Sequence, residues 1–168
     1  VEVLQIDDSK PAYNFKPVVF PNEWQKSKRS QAAGSVSSKG EAYRHYYQPL
    51  IDELREKHKF TGARVAQPQN WYAFSSGVSG IQISAVFTGN DTARVELYID
   101  LRDFETNKAL FDWLHSQKDT IEKECGFPFQ WDRLDERRAS RIAVTRSGSI
   151  ESSAEELEQI RRRQIERL

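Results

Sequence analysis

The hydrophobic pattern of the chain is helical between Glu41 and Lys59. Apolar side chains recur there at steps of three and four residues, at Tyr43, Tyr46, Tyr47, Leu50, Ile51 and Leu54. This spacing places them on one stripe, which predicts an amphipathic helix with one buried side. Pro49 lies inside the segment and lacks a backbone N–H, so it should kink the helix or divide it.

A different period follows, because apolar and polar residues alternate along the segments 71–76, 81–87 and 94–101. Alternation with a period of two is typical of half-buried strands. The connecting residues are rich in glycine and serine and include Asn90 and Asp91, which suit tight turns. The pattern predicts an antiparallel meander. Two further strands are expected at 129–134 and 140–146, joined by a charged turn at 135–137.

Two more helices are predicted from their stripes and caps. Asp103 is a suitable N-cap for a single helix that should end at Gly126. Its stripe consists of Leu110, Phe111, Leu114, Ile121 and Cys125. Ser153 and Glu156 have the spacing of a capping box ahead of the last helix, whose stripe is Leu157, Ile160, Ile165 and Leu168. We expect this stripe to dock on the domain's own core first, and to support a weak homodimer second.

These elements predict an α+β domain over residues 41–168. It should contain a mainly antiparallel sheet of about five strands, with two helices packed on one face and a C-terminal helix at an edge. Residues 1–24 are rich in proline and allow only short edge strands, so we interpret them as the trailing strip of an upstream domain. Residues 25–40 are small, polar and basic, which is typical of a linker.

Composition limits the environment of the protein. The chain has 25 basic and 25 acidic residues, so a surface that is basic throughout is excluded, whereas a local basic face is not. Cys125 is the only cysteine, which favours a reducing cytoplasm. No apolar run reaches the length of a membrane span. Since the chain begins at Val1 and contains no methionine, we expect it to be an internal fragment of a longer protein.

No catalytic template fits the sequence, so we assign no catalytic residue, cofactor or metal. The three histidines lie on two predicted helices without the spacing of a zinc site. The stretch 76–80 lacks the serine between two glycines of a nucleophile elbow, and no glycine-rich phosphate loop is present. One alternative stays open, because Glu96 and Asp100 lie on one strand face and could hold magnesium. A solvated face with ion pairs is favoured over it.

The basic residues are the stronger functional signal. Four arginines, Arg137, Arg138, Arg141 and Arg146, fall within ten residues that contain no acid, and 161–163 adds three more on the last helix. Guanidinium groups suit phosphate because they present paired donors in a plane. Trp131, together with the aromatic pair at 71–72, could add stacking surfaces. The acids at 132, 135 and 136 could instead neutralise the arginines, and structural ion pairs are slightly favoured.

Three segments carry a resemblance to a known family: ARVELYIDL, NKALFDWLHSQKDTIEKECG and QWDRLDERRASRIAV. They resemble the domain of unknown function family 4268 from the Tyr43 helix to the Leu157 helix. The matching positions are Arg94, Glu96, Tyr98, Asn107, Lys108, Lys118, Ile121, Trp131, Leu134, Asp135, Arg138, Ala139, Ser140, Arg141 and Ile142. The segments DSKPAYNF and PNEW are similar to the stretch that leads out of an N-terminal PD-(D/E)XK nuclease-like domain in such proteins.

The resemblance implies a non-catalytic C-terminal accessory module of a nuclease-like protein. We expect it to bind DNA or RNA through Arg137, Arg138, Arg141, Arg146 and Trp131, in defence against foreign DNA. The alternative is an interaction or dimerisation module that positions the upstream domain. A third hypothesis, an autonomous enzyme that acts through Glu96 and Asp100, has the least support.

Overall fold

The computed structural model describes residues 37–168 in full and, nearer the N-terminus, the backbone of 2–4 and 12–14. The chain divides into two units, Val1–Val36 and Ser37–Leu168. In the first unit, β1 (Glu2–Leu4) pairs antiparallel with β2 (Ala12–Asn14). Apart from these two short strands, the expectations for 1–24 and 25–36 lie outside the described residues.

The second unit is an α+β domain with a five-stranded antiparallel sheet. Its elements are α1 (Ser38–Glu56), β3 (Trp71–Ser75), β4 (Ile81–Phe87), β5 (Thr92–Ile99), α2 (Phe104–His115), α3 (Lys118–Cys125), β6 (Gln130–Asp132), β7 (Ser140–Ser147) and α4 (Ala154–Arg167). The strand order is β3-β4-β5-β7-β6, so β5 is central and β6 is an edge. The predicted fold class and strand number are confirmed.

One face of the sheet is apolar and carries the core. The register aligns Ile83 with Leu97, Val95 with Val144 and Leu97 with Ile142, and residues directly opposite each other share a face. The core also contains the buried α1 stripe, which consists of Tyr46, Tyr47, Leu50, Ile51 and Leu54. α1 covers β3 to β5 through this stripe, and α2 covers β7 on the same face through Lys108, whose ammonium group contacts Ser140.

The helix boundaries differ from the prediction in three places. α1 begins at Ser38, because the Ser37 hydroxyl accepts a hydrogen bond from the N–H of Gly40 and caps the helix three residues early. Pro49 does not divide it. The single helix predicted after Asp103 is two helices, since α2 ends at His115 and α3 starts at Lys118. The Ser116 hydroxyl donates to the Trp113 carbonyl there, a local bond that competes with helix propagation.

α3, the second of these helices, is more exposed to solvent than the predicted stripe implies. None of the residues of α3 is buried, and Cys125 is exposed rather than packed in a stripe. Gly126 ends α3 in the left-handed conformation at φ 78°, as its position predicts. The strand expected at 129–134 is only three residues long, because the chain leaves the sheet after Asp132.

The last helix docks on the chain's own core, as predicted, but not at an edge. Ile160 is completely buried in the same cluster as Tyr46 and Phe87. β5 is the central strand and α4 packs against it, so the helix lies over the middle of the sheet and buries part of its apolar stripe there. Ser153 caps α4 by accepting a hydrogen bond from the N–H of Glu156, as the capping box predicts. Every helix in the described part of the chain is too short or too polar to span a bilayer.

Candidate nucleic-acid interface

The arginines of β7 lie on opposite faces of the sheet. Arg141 pairs in register with Tyr98, on the polar face, whereas Arg146 pairs with Ala93, on the face that carries the core. They are five positions apart in sequence, which corresponds to roughly 17 Å along the strand. The two guanidinium groups therefore cannot bind the same phosphate, and the predicted arginine cluster is divided between two surfaces.

On the polar face, Arg141 belongs to a row of alternating charges. Its guanidinium lies 2.7 Å from Asp132 and 3.9 Å from Glu96. Glu96 in turn lies 2.7 Å from the Nε atom of Arg94, although the N–H is not aligned for a hydrogen bond. All four side chains are largely buried, and burial lowers the pKa of Arg94. Asp132 and Glu96 thus compensate the positive charge of Arg141 within the domain.

The turn between β6 and β7 is a second paired region. Arg138 donates two hydrogen bonds to Asp100, at 2.6 and 2.7 Å, and this pairing holds the pKa of Asp100 below its ordinary value. Arg133 binds Asp112 in the same bidentate manner and also contacts Asp135. Arg137 is exposed and has no ion pair among residues 37–168. It is the one arginine of this turn whose charge is uncompensated in that part of the chain.

A buried lysine holds the turn in place. The ammonium group of Lys108 donates to the carbonyl oxygens of Arg133, Leu134 and Ala139, at 2.6 to 3.0 Å, and contacts the Ser140 hydroxyl at 3.1 Å. Burial lowers its pKa, whereas four oxygen acceptors favour the charged form. Leu134 has a φ of 57°, a left-handed conformation that is unfavourable for a branched side chain. The carbonyl of this residue accepts hydrogen bonds from both the Lys108 ammonium group and the Arg137 N–H.

Trp131 lies on the core face, away from Arg141. Its ring contacts Phe111, His115 and Phe129 edge to face, with centroid distances of 5.3 to 6.2 Å. The indole N–H donates to Glu122 at 2.9 Å. The Phe129 N–H and, second to it, this indole bond lower the pKa of that carboxyl group. The ring is half-buried in this aromatic cluster.

A cleft between α4 and the strands β5 and β7 collects the arginines that the acids do not neutralise. It encloses only about 10 Å³, and its lining residues include Ala93, Arg94, Val95, Val144, Arg146, Arg163 and Arg167. No aspartate or glutamate lines it, and within residues 37–168 none of its arginines at 146, 163 and 167 forms an ion pair. The cleft is thus narrow and apolar, and three arginines that form no ion pair within residues 37–168 lie along it.

The sequence profile of the domain of unknown function family DUF4268 matches residues 42–168 of this chain. The chain belongs to this family. Neither a curated protein nor a solved structure matches the chain. Membership in the DUF4268 family confirms the resemblance that the segments at 93–144 indicate, and the association with PD-(D/E)XK nuclease-like proteins stays a prediction.

Within the DUF4268 domain, the five residues predicted to bind nucleic acid occupy four settings. Arg137 and Arg138 lie on the turn, Arg141 on the polar face, Trp131 in the aromatic cluster and Arg146 in the cleft. Sequence reasoning missed Arg167. The signal that could have found it is its spacing of four residues from Arg163, which places both on one side of α4.

The carboxylates considered for magnesium are both bound by arginine. Glu96 pairs with Arg94, and Asp100 pairs with Arg138. In the described ranges 2–4, 12–14 and 37–168, no group of three or more histidine, cysteine, aspartate and glutamate residues could hold a metal ion. The autonomous-enzyme hypothesis therefore gains no support from the geometry.

Proposed function

We propose that this domain is a non-catalytic accessory module that binds nucleic acid through arginine side chains. The observation that carries the proposal is the cleft beside α4, where Arg146, Arg163 and Arg167 lie together without an acid. Arginine binds phosphate through paired N–H donors, and contacts of this kind provide affinity without reading sequence. Arg137, on the turn between β6 and β7, adds an exposed positive charge that could contact a phosphate further along the nucleic acid.

The proposed context is a protein that also contains a nuclease-like domain and acts in defence against foreign DNA. Its support is the similarity of DSKPAYNF and PNEW to the segment that follows PD-(D/E)XK nuclease-like domains. In this arrangement the upstream domain would hold the catalytic carboxylates, and the arginines described above would hold the substrate. A single cysteine supports a reducing cytoplasm as the compartment.

The test is binding of a fluorescent oligonucleotide to the full chain, measured by anisotropy at two salt concentrations. The variant Arg146→Gln/Arg163→Gln/Arg167→Gln should weaken binding at least about tenfold and reduce the slope of log affinity against log salt by about 2 to 3, since each lost phosphate contact removes about 0.7 to 0.9. Unchanged affinity and slope in a folded variant would refute the cleft as the interface.

Two further variants locate the interface. Arg137→Gln/Arg138→Gln removes the turn charges, and it should weaken binding less than the cleft variant because Asp100 already compensates Arg138. Arg162→Gln is the matched control, since Arg162 is on the same helix but is exposed and pairs with Glu158. If the turn variant abolished binding and the cleft variant had no effect, the interface would lie on the turn.

An interaction or dimerisation module is the second candidate, and one observation favours it. Leu110, Trp113 and Leu114 lie at steps of three and four on α2, and Trp113 is 60% exposed. An exposed tryptophan in an apolar helix stripe is typical of a protein contact. If a homodimer forms there, sedimentation velocity should detect it in the wild type and not in Trp113→Gln, whereas a monomeric wild type would exclude the homodimer.

A further inference from the structure

Arg167, the last residue of α4, lies over an aromatic ring. Its guanidinium carbon is 3.9 Å from the centre of the Phe127 ring, a cation–π distance. Its Nε atom is buried and has no hydrogen-bond partner in the described part of the chain. Within residues 37–168 the side chain forms no ion pair. In that part of the chain, the Phe127 ring is therefore the contact that orients this guanidinium group.

An aromatic partner orients an arginine without compensating its charge. The guanidinium group is planar and its N–H groups point outward in that plane, so a ring on one face leaves the edges available to phosphate. Arg167 is half-buried, and its two terminal nitrogens donate no hydrogen bond within residues 37–168. Arg138 differs, because Asp100 both orients it and compensates its charge. Arg167 is thus held in place with its binding capacity intact.

The Phe127 ring is itself fixed by a row of aromatic side chains. Its centroid lies 4.9 Å from that of Phe129, which lies 6.2 Å from that of Trp131. The indole N–H of Trp131 and the backbone N–H of Phe129 both donate to Glu122, each at 2.9 Å. These bonds tie the row to α3. The ring under the arginine is therefore part of an ordered cluster.

We infer that Phe127 is a positioning residue of the nucleic-acid interface, which holds the Arg167 guanidinium group ready for a phosphate without contacting the nucleic acid itself. The inference rests on the proposed function and deepens it. Such an arrangement favours binding because a free arginine side chain loses its rotamer freedom on contact, and an ordered one has already lost it. Trp131, which the sequence predicts to stack on bases, instead supports the row beneath the arginine.

The test is binding of a fluorescein-labelled single-stranded oligonucleotide to the full chain, measured by anisotropy at two salt concentrations. Phe127→Leu removes the aromatic face and keeps an apolar side chain. It should weaken binding at least about threefold and lower the slope of log affinity against log salt by about 0.7, the value of one phosphate contact on a single strand. Phe127→Tyr keeps the ring and should bind like the wild type. A general loosening of the fold would not separate these two variants.

Arg167→Gln and a matched control complete the design. Arg167→Gln should weaken binding as much as Phe127→Leu, and the double variant should be no weaker than either, because the two residues act as one unit. Phe60→Leu is the control, since this ring packs on Phe74 and contacts no arginine within residues 37–168. It should keep the affinity and slope of the wild type.

Each outcome decides between the inference and the function. A folded Phe127→Leu variant with the affinity and slope of the wild type overturns the inference, as does Phe127→Tyr that binds as weakly as Phe127→Leu. In both cases the proposed function stands. No binding of the oligonucleotide to the wild type overturns both. A thermal melt confirms folding, and Phe127→Met, a second apolar replacement without a ring, takes the place of Phe127→Leu if that variant is unfolded.

Discussion

The ammonium nitrogen of Lys108 lies 2.6 Å from the carbonyl oxygen of Arg133, across 25 residues of chain. This bond and those to Leu134 and Ala139 close the turn that bears Arg137 and Arg138. A lysine is only 2% exposed here, because the backbone carbonyls supply the acceptors that a carboxylate would otherwise provide. The conformation of the turn therefore depends on a side chain from α2.

Replacing this lysine should destabilise the domain. Lys108→Met keeps the length of the side chain but removes one donor from each of three carbonyls, of which Arg133 and Leu134 keep a second donor in the Ser140 hydroxyl and the Arg137 N–H. We expect the free energy of unfolding to fall by about 1–3 kcal/mol. Urea denaturation measures the change. Lys123→Met, at an exposed position of α3, should have an effect within about 0.5 kcal/mol. Equal stability of the two variants would contradict the role of Lys108.

The second prediction concerns Gly148, which follows β7 and has a φ of 145°. A Cβ atom there would lie 2.5 Å from Cδ1 of Ile160, a side chain that is completely buried. Gly148→Ala should therefore lower the free energy of unfolding by about 1–3 kcal/mol through overpacking and backbone strain. Gly89→Ala is the control, since nothing lies within 4 Å of that position. A Gly148→Ala variant as stable as the Gly89→Ala control would show that α4 does not pack this closely.

The third prediction concerns the buried hydrogen bond between Tyr46 and Gln164. Burial raises the pKa of the Tyr46 hydroxyl, which keeps it a donor at every ordinary pH. Tyr46→Phe leaves the buried Gln164 oxygen unpaired and should cost about 1–2 kcal/mol of stability, measured by thermal or urea unfolding. Tyr43→Phe is the matched control, because within residues 37–168 no hydrogen bond of its hydroxyl is present. The bond is unimportant if both variants unfold alike.

Acid should weaken the contact between Asp100 and Arg138. The arginine lowers the pKa of Asp100 from its ordinary value of 3.8, so the folded state binds its proton less readily than the unfolded state. The stabilisation is complete above about pH 4 and is lost as the pH falls through the lower folded pKa. Asp100→Asn should remove it, which lowers the melting temperature at pH 7 by about 1–3 °C and has a smaller effect at pH 2.5.

Glu136 provides the comparison for this measurement, because it is exposed on the turn between β6 and β7, forms no ion pair within residues 37–168, and Glu136→Gln removes the same charge. The control should show no difference between the two pH values beyond that of the wild type. If Asp100→Asn and the control respond to acid in the same way, the ion pair does not contribute to stability.

Local patterns were sufficient for most of the secondary structure. The alternation in β4 and β5 and the α1 stripe each depend on neighbouring residues, so their periods predict both the element and its buried side. The hydrophobic pattern did not predict the break between α2 and α3. The helical period of Leu110, Leu114 and Ile121 continues across it, whereas hydrogen bonds of Ser116 and Gln117 to the Trp113 carbonyl end the first helix.

The candidate site depends on contacts between residues that are far apart in the sequence. The sequence alone determined how many arginines are present and which strand and helix bear them. It could not determine which are neutralised, since Asp100 reaches Arg138 across 38 residues and Asp112 reaches Arg133 across 21. Only the tertiary structure decided this, because a charge is compensated by whatever lies within a few ångströms in space. Strand pairing put Arg141 among acids, and the docking of α4 put Arg146 beside Arg163 and Arg167 without one.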